Sequence, residues 1–87
     1  MSALTPMQRL IEEGKAVEHS GSEVFGYWRG YEIWVRREAT RCMGGWYIIV
    51  KHPDGGYLYD GWWEKRGASA AQAVAEAFRG ACLLEAA

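Results

Sequence analysis

The chain has 87 residues, which predicts a single small domain (residues 1–87) with a thin core. Ten basic and eleven acidic residues give a net charge of -1, which argues against a protein that mainly neutralises nucleic-acid phosphates. The apolar runs are too short to span a membrane, and residues 1–7 lack the basic and apolar regions of a signal peptide. We therefore expect a cytoplasmic protein.

The first predicted element is a short helix. Thr5 is placed as its N-cap, with Pro6 at the first helical position and Gln8 three residues after the cap, a capping-box arrangement. Gly14 is expected to end this helix. Residues 15–23 are polar and rich in serine and glycine, so they are predicted to form a linker.

The middle of the chain predicts an antiparallel meander of three to four strands. The predicted strands are residues 24–28, 31–37, 46–51 and 57 to about 62. Arg29-Gly30 separates the first pair as a hairpin turn, residues 38–45 form a loop, and residues 52–56 (His-Pro-Asp-Gly-Gly) form a second turn.

The last predicted element is an alanine-rich helix that begins at Ala70. Ser69 caps it, and Gln72 completes a second capping box. An apolar stripe with a spacing of four follows, formed by Val74, Phe78 and Cys82, with Ala71, Ala75 and Ala81 beside it. Gly80 is expected to admit a bulky ring from the sheet. The predicted fold class is α+β, a two-layer α-β-β-β-β-α arrangement with both helices on one face of the sheet.

Side-chain alternation divides the predicted strands between two faces. The predicted core comprises Ile33, Val35, Ile48 and Val50, packed against Leu10, Val74 and Phe78. The outer face is predicted to carry Trp34, Tyr47 and Ile49 among Glu32, Arg36 and Lys51. Trp62 and Trp63 are adjacent, so we expect one of them to point outward.

The aromatic content predicts an exposed binding surface. The chain has five tryptophans and five tyrosines, more rings than two alanine-lined helices can cover. Several rings are therefore expected to stay exposed until a partner covers them. The predicted partner-binding residues are Trp34, Arg36, Tyr47, Ile49, Lys51, Trp62 and Trp63. Trp34→Ala is expected to weaken binding by about 2 kcal/mol or more with little loss of folding stability. Cross-strand packing or a homodimer through the sheet face would also account for these rings.

Catalytic and metal chemistry are not expected. Cys42 and Cys82 lack a CxxC spacing and are expected to be reduced and buried or inert. His19 and His52 fall on predicted loops, without the neighbours of a nucleophile–base pair or a metal site. We therefore expect a non-enzymatic protein without a cofactor or metal.

The order helix, antiparallel strands, helix resembles the layout of double-stranded-RNA-binding domains over nearly the whole chain. In that family, lysines at the start of the last helix grip phosphates across a groove. The matching residues here, Ser69 to Ala73, include no lysine. Nucleic-acid binding is kept as the alternative function, with Trp34 and Tyr47 as a stacking platform beside Arg36.

The segment from Trp46 to Val50, the turn from Pro53 to Tyr57 and the helix beginning at Ser69 resemble HicB-type antitoxin domains, a likeness that implies toxin neutralisation by binding. Small size, near-neutral charge and aromatic load also resemble short inhibitor proteins of phages and other mobile elements, including anti-CRISPR proteins. The sequence thus predicts a protein-binding module, a stoichiometric inhibitor or antitoxin-like factor with a heterologous protein as partner.

Overall fold

The computed structural model describes residues 4–38 and 45–83, which form two helices and one antiparallel sheet of five strands. In chain order the elements are α1 (Pro6–Glu12), β1 (Lys15–His19), β2 (Glu23–Trp28), β3 (Tyr31–Glu38), β4 (Gly45–Lys51), β5 (Tyr57–Trp63) and α2 (Ala70–Gly80). The strands lie side by side in sequence order, so the sheet is a meander, and the predicted α+β class is confirmed. Neither of these helices is long and apolar enough to cross a membrane.

The fifth strand is β1, which lies where the sequence predicted a linker over residues 15–23. It pairs antiparallel with β2 and contains a bulge between Ala16 and Glu18. Gly26 allows the close pairing, since a side chain there would collide with the carbonyl of Lys15. Most of β1 is exposed at the sheet edge, so its residues carry none of the apolar alternation that marks a half-buried strand.

Both predicted capping boxes are present. The Thr5 hydroxyl accepts from the Gln8 backbone N–H at 3.2 Å, and the Gln8 side chain accepts from the Thr5 N–H at 2.8 Å. Ser69 and Gln72 repeat this arrangement at 3.2 Å and 2.8 Å. These bonds satisfy amide groups that have no partner within the helix, so the local sequence alone sets where each helix starts.

The core lies between the two helices and one face of the sheet, the inner face. All seven predicted core residues are at most 1% exposed: Leu10, Ile33, Val35, Ile48, Val50, Val74 and Phe78. Trp28 and Trp46 are buried with them. The Trp46 indole N–H donates to the Ala68 carbonyl at 3.1 Å, and the Trp28 indole N–H donates to Glu13 at 3.1 Å. Both buried indoles therefore keep a hydrogen-bond partner.

The lack of a side chain at Gly80 leaves room for an aromatic ring from the sheet, as the sequence predicted. An added Cβ would overlap ring carbons of Tyr59. The Tyr59 hydroxyl donates to Glu76 at 2.9 Å, and Glu76 also accepts from Arg79 at 2.7 and 2.8 Å. The pKa of Glu76 is lowered, mainly by its hydrogen bonds from Arg79. The pKa of Tyr59 is raised to about 12, mainly by burial and then by its hydrogen bond to Glu76. The nearly buried carboxylate of Glu76 thus has hydrogen-bond donors from both Tyr59 and Arg79.

The end of α2 differs from the prediction. The helix stops at Gly80, so the stripe does not continue to Cys82, which is exposed with a left-handed φ of 58°. Cys82 was expected to be buried or inert, and burial was wrong because the chain leaves the helical path before reaching it. Ala71, expected beside the stripe, is exposed as well. Cys42 and most of the predicted loop over residues 38–45 lie outside the described residues.

Candidate functional site

The second face of the sheet, which we call the open face, is not covered by either helix in the described part of the chain. The strand register arranges its side chains in three rows across the sheet. The central row is Glu18, Phe25, Trp34, Ile49 and Asp60. One flanking row is Glu23, Arg36, Tyr47 and Trp62, and the other is Lys15, Tyr27, Glu32, Lys51 and Tyr57.

Six of the seven predicted site residues share this face: Trp34, Arg36, Tyr47, Ile49, Lys51 and Trp62. Trp62 is the outward member of the tryptophan pair and is 41% exposed. Trp63 lies on the inner face beside Trp46 and packs against the core. Trp63 is therefore removed from the candidate site, because adjacent strand residues point to opposite sides of a sheet.

Aromatic contacts connect β2 to β3 on the open face. The ring centroids of Phe25 and Tyr27 are 5.5 Å apart, and those of Phe25 and Trp34 are 6.2 Å apart, both edge to face. The Trp34 indole N–H donates to Glu23 at 2.6 Å. The Arg36 guanidinium lies 5.3 Å from the centroid of the Trp34 ring and 3.2 Å from Glu38. Trp34 is thus half-buried and fixed on several sides.

A second aromatic pair lies on β4 and β5. The ring centroids of Tyr47 and Trp62 are 4.3 Å apart at an interplanar angle of 51°. The Tyr47 hydroxyl donates to Asp60, and this hydrogen bond is the main reason that the pKa of Tyr47 is raised. The carboxylate therefore holds the phenol in place beside an indole that remains partly exposed to solvent.

A concavity of about 500 Å³ lies over β1, β2 and β3 on the open face. Its lining residues are Glu18, Glu23, Phe25, Glu32 and Trp34. Four of these, Glu18, Glu23, Phe25 and Glu32, were not among the predicted site residues, although Glu32 was expected on the same face. The missed strand β1 explains Glu18, whereas the alternation of residues 23–28 already places Glu23 and Phe25 on the face opposite Val24.

Neither histidine belongs to the three rows of side chains on the open face. His19, predicted on a loop, is the last residue of β1. His52 lies in the predicted turn after β4, where its Nδ1 accepts from the Asp54 backbone N–H at 3.0 Å. Within residues 4–38 and 45–83, no group of three or more His, Cys, Asp or Glu side chains is arranged to hold a metal ion.

Comparisons with known proteins return nothing that assigns a family. No family model matches the chain, and no curated protein or solved structure matches it significantly. The resemblances to antitoxin, phage-inhibitor and RNA-binding domains therefore stay predictions.

Proposed function

We propose that this chain is a non-enzymatic protein-binding module whose open face captures a heterologous protein. The observation that carries the proposal is a sheet face with two aromatic clusters that neither helix covers. Aromatic rings surrounded by charged side chains are the composition typical of protein–protein interfaces. An exposed surface of this kind favours a partner over solvent.

The same proposal includes a biological role. A domain of this size offers one broad face, so it acts by occupying a surface of its partner in a fixed ratio. We propose that it serves as a stoichiometric inhibitor or antitoxin-like factor of a phage or other mobile element. We place it in the cytoplasm, where a protein with two cysteines and no CxxC spacing keeps them reduced.

Trp62 is the best anchor residue of the proposed interface. Its ring packs on Tyr47, yet 41% of its surface remains exposed for a partner to bury. Trp34 is a poorer test position, because its indole N–H donates to Glu23 and its ring contacts Phe25. Trp34→Ala would remove these internal contacts as well, so it does not separate binding from folding.

Nucleic acid is the alternative partner, and charge argues against it. Arg36 beside the Trp34 ring provides the cation and the stacking surface that a base would use. However, four carboxylates (Glu18, Glu23, Glu32 and Asp60) share the open face with three basic residues (Lys15, Arg36 and Lys51), so the face has no excess of positive charge. The carboxylates repel a polyanion, whereas a protein surface can supply cations to match them.

The proposal is tested by capture followed by an affinity measurement. The tagged chain is used to isolate its partner from the organism that encodes it, and the purified partner is then titrated by calorimetry. Trp62→Ala is expected to weaken binding by about 2 kcal/mol, close to a 30-fold loss. Ile11→Ala is the matched control, because Ile11 is 43% exposed but lies on α1. Its affinity should equal that of the wild type.

Two results would contradict the proposal. One is a partner that binds the wild type and the Trp62→Ala variant equally. The other is an electrophoretic shift of RNA or DNA that is strong at low salt and falls steeply at moderate salt, the behaviour of phosphate-driven binding.

A further inference from the structure

We propose that the partner inserts a basic side chain, lysine or arginine, into the concavity over β1, β2 and β3. This inference rests on the proposed function and adds the chemistry of the group that the open face recognises. The concavity would thus take a cationic occupant supplied by a protein.

The walls of the concavity suit a cation. Phe25 and Trp34 both line the concavity and meet edge to face with their centroids 6.2 Å apart. An ammonium or guanidinium group is attracted to the electron-rich face of an aromatic ring, most strongly to that of tryptophan. The volume of about 500 Å³ lies within the range of about 300–1,000 Å³ that is common for binding pockets.

Three carboxylates, those of Glu18, Glu23 and Glu32, line the concavity. Glu23 accepts from the Trp34 indole, a neutral donor that leaves its negative charge in place. Glu18 and Glu32 form no ion pair with any residue that the structure describes. Three like charges around two aromatic rings repel one another, so a cation entering between them gains attraction from all three.

Two neighbouring basic residues, Lys51 and Arg36, have contacts other than an ion pair with the carboxylates of the concavity, and the Arg36 guanidinium lies 5.3 Å from the centroid of the Trp34 ring. Lys51 is the cross-strand partner of Glu32, but its ammonium lies 5.8 Å from the centroid of the Tyr57 ring. Arg36, on the same strand as Glu32, forms its ion pair with Glu38 at 3.2 Å. Neither forms an ion pair with Glu18 or Glu32, so these two carboxylates are open to a cation from another molecule.

A direct test uses defined small probes on the full chain. Uniformly ¹⁵N-labelled protein is titrated with N-acetyl-arginine methylamide and N-acetyl-lysine methylamide, and with N-acetyl-glutamine methylamide as the neutral probe. We expect saturable shifts of the Trp34 indole N–H and the Phe25 amide with the two cationic probes and none with the neutral one. Glu18→Gln/Glu32→Gln should weaken probe binding about tenfold or more, because each change removes one attracting charge. Glu64→Gln, at an exposed carboxylate after β5, is the matched control and should bind the probes like the wild type.

Several results would overturn the inference. They are equal shifts with the neutral probe, shifts confined to Tyr47 and Trp62, and unchanged probe binding by the double variant. Shifts of Trp34 and Phe25 that grow with protein concentration in the absence of probe would also overturn it, because they would assign the concavity to a second copy of the chain.

The purified partner separates this inference from the proposed function. Loss of partner binding in both Trp62→Ala and Glu18→Gln/Glu32→Gln supports both. Loss in Trp62→Ala alone leaves the protein-binding function standing and overturns the cationic occupant. Retention in both variants overturns the function and the inference together.

Discussion

The two faces of the sheet use the same kinds of residue in different ways. On the inner face, Trp28 and Trp46 are at most 2% exposed, and both indole N–H groups are bonded within the fold. On the open face, Trp62 packs on Tyr47 and remains 41% exposed. Inner-face rings are buried when the chain folds, whereas the open-face rings can still bury area against another molecule.

This difference separates folding from binding within one thin domain. Side chains on alternate positions of a strand share the same backbone but not the same environment. Substitutions on the inner face should therefore change mainly the free energy of unfolding. Substitutions on the open face should change mainly the affinity for the partner.

The largest expected effect is at Phe78. Its ring is 1% exposed and contacts Trp28 with a centroid distance of 5.1 Å. Phe78→Ala should lower the free energy of unfolding by about 3–5 kcal/mol, measured by urea denaturation. Tyr57→Ala is the open-face control, and because Tyr57 is 60% exposed it should change stability by about 0.5 kcal/mol or less. Similar losses in the two variants would break the distinction between the faces.

A smaller effect is expected at the contact between α2 and β5. Gly80→Ala should destabilise the domain by about 1–3 kcal/mol, because the new methyl group overlaps the Tyr59 ring. Taken alone, the higher helix propensity of alanine over glycine would stabilise the domain by about 1 kcal/mol. In a Tyr59→Ala background the overlap disappears, so the same substitution should then be neutral or stabilising. A loss that is equal in both backgrounds would contradict the packing explanation.

The smallest effect concerns pH. The pKa of Tyr59 is raised to about 12 by burial and by its bond to Glu76, from an unfolded value of 10.0. Its contribution to stability is therefore complete below pH 10 and is lost as the pH rises toward 12. Tyr59→Phe should reduce this alkaline loss of stability by about 1 kcal/mol, in denaturation curves measured across that range. An alkaline loss of stability that is the same in Tyr59→Phe as in the wild type would contradict this explanation.

Local patterns predicted much of the fold. The capping boxes of Thr5 and Ser69 depend only on residues three positions apart, so the start of each helix could be predicted from the sequence. The edge strand β1 was missed because its exposed residues lack apolar alternation. The end of α2 was misplaced because the backbone turn at Cys82 leaves no apolar signal in the sequence.

The candidate site was predictable in part. Alternation along β3 and β4 placed Trp34 and Tyr47 on the same face without any tertiary information. The concavity could not be foreseen, because Glu18 joins it only through the pairing of β1 with β2. The choice between Trp62 and Trp63 likewise depended on the register between β4 and β5.

The most direct test of the account compares Trp62→Ala with Trp63→Ala, two neighbours on opposite faces. Both variants are measured by urea denaturation and by titration with the purified partner. Trp62→Ala should lose about 1 kcal/mol of stability, since it removes the packing on Tyr47, together with most of its affinity. Trp63→Ala should lose about 2–3 kcal/mol of stability and bind normally once folded. Equal stability losses, or affinity lost only with Trp63, would contradict the assignment of folding to one face and binding to the other.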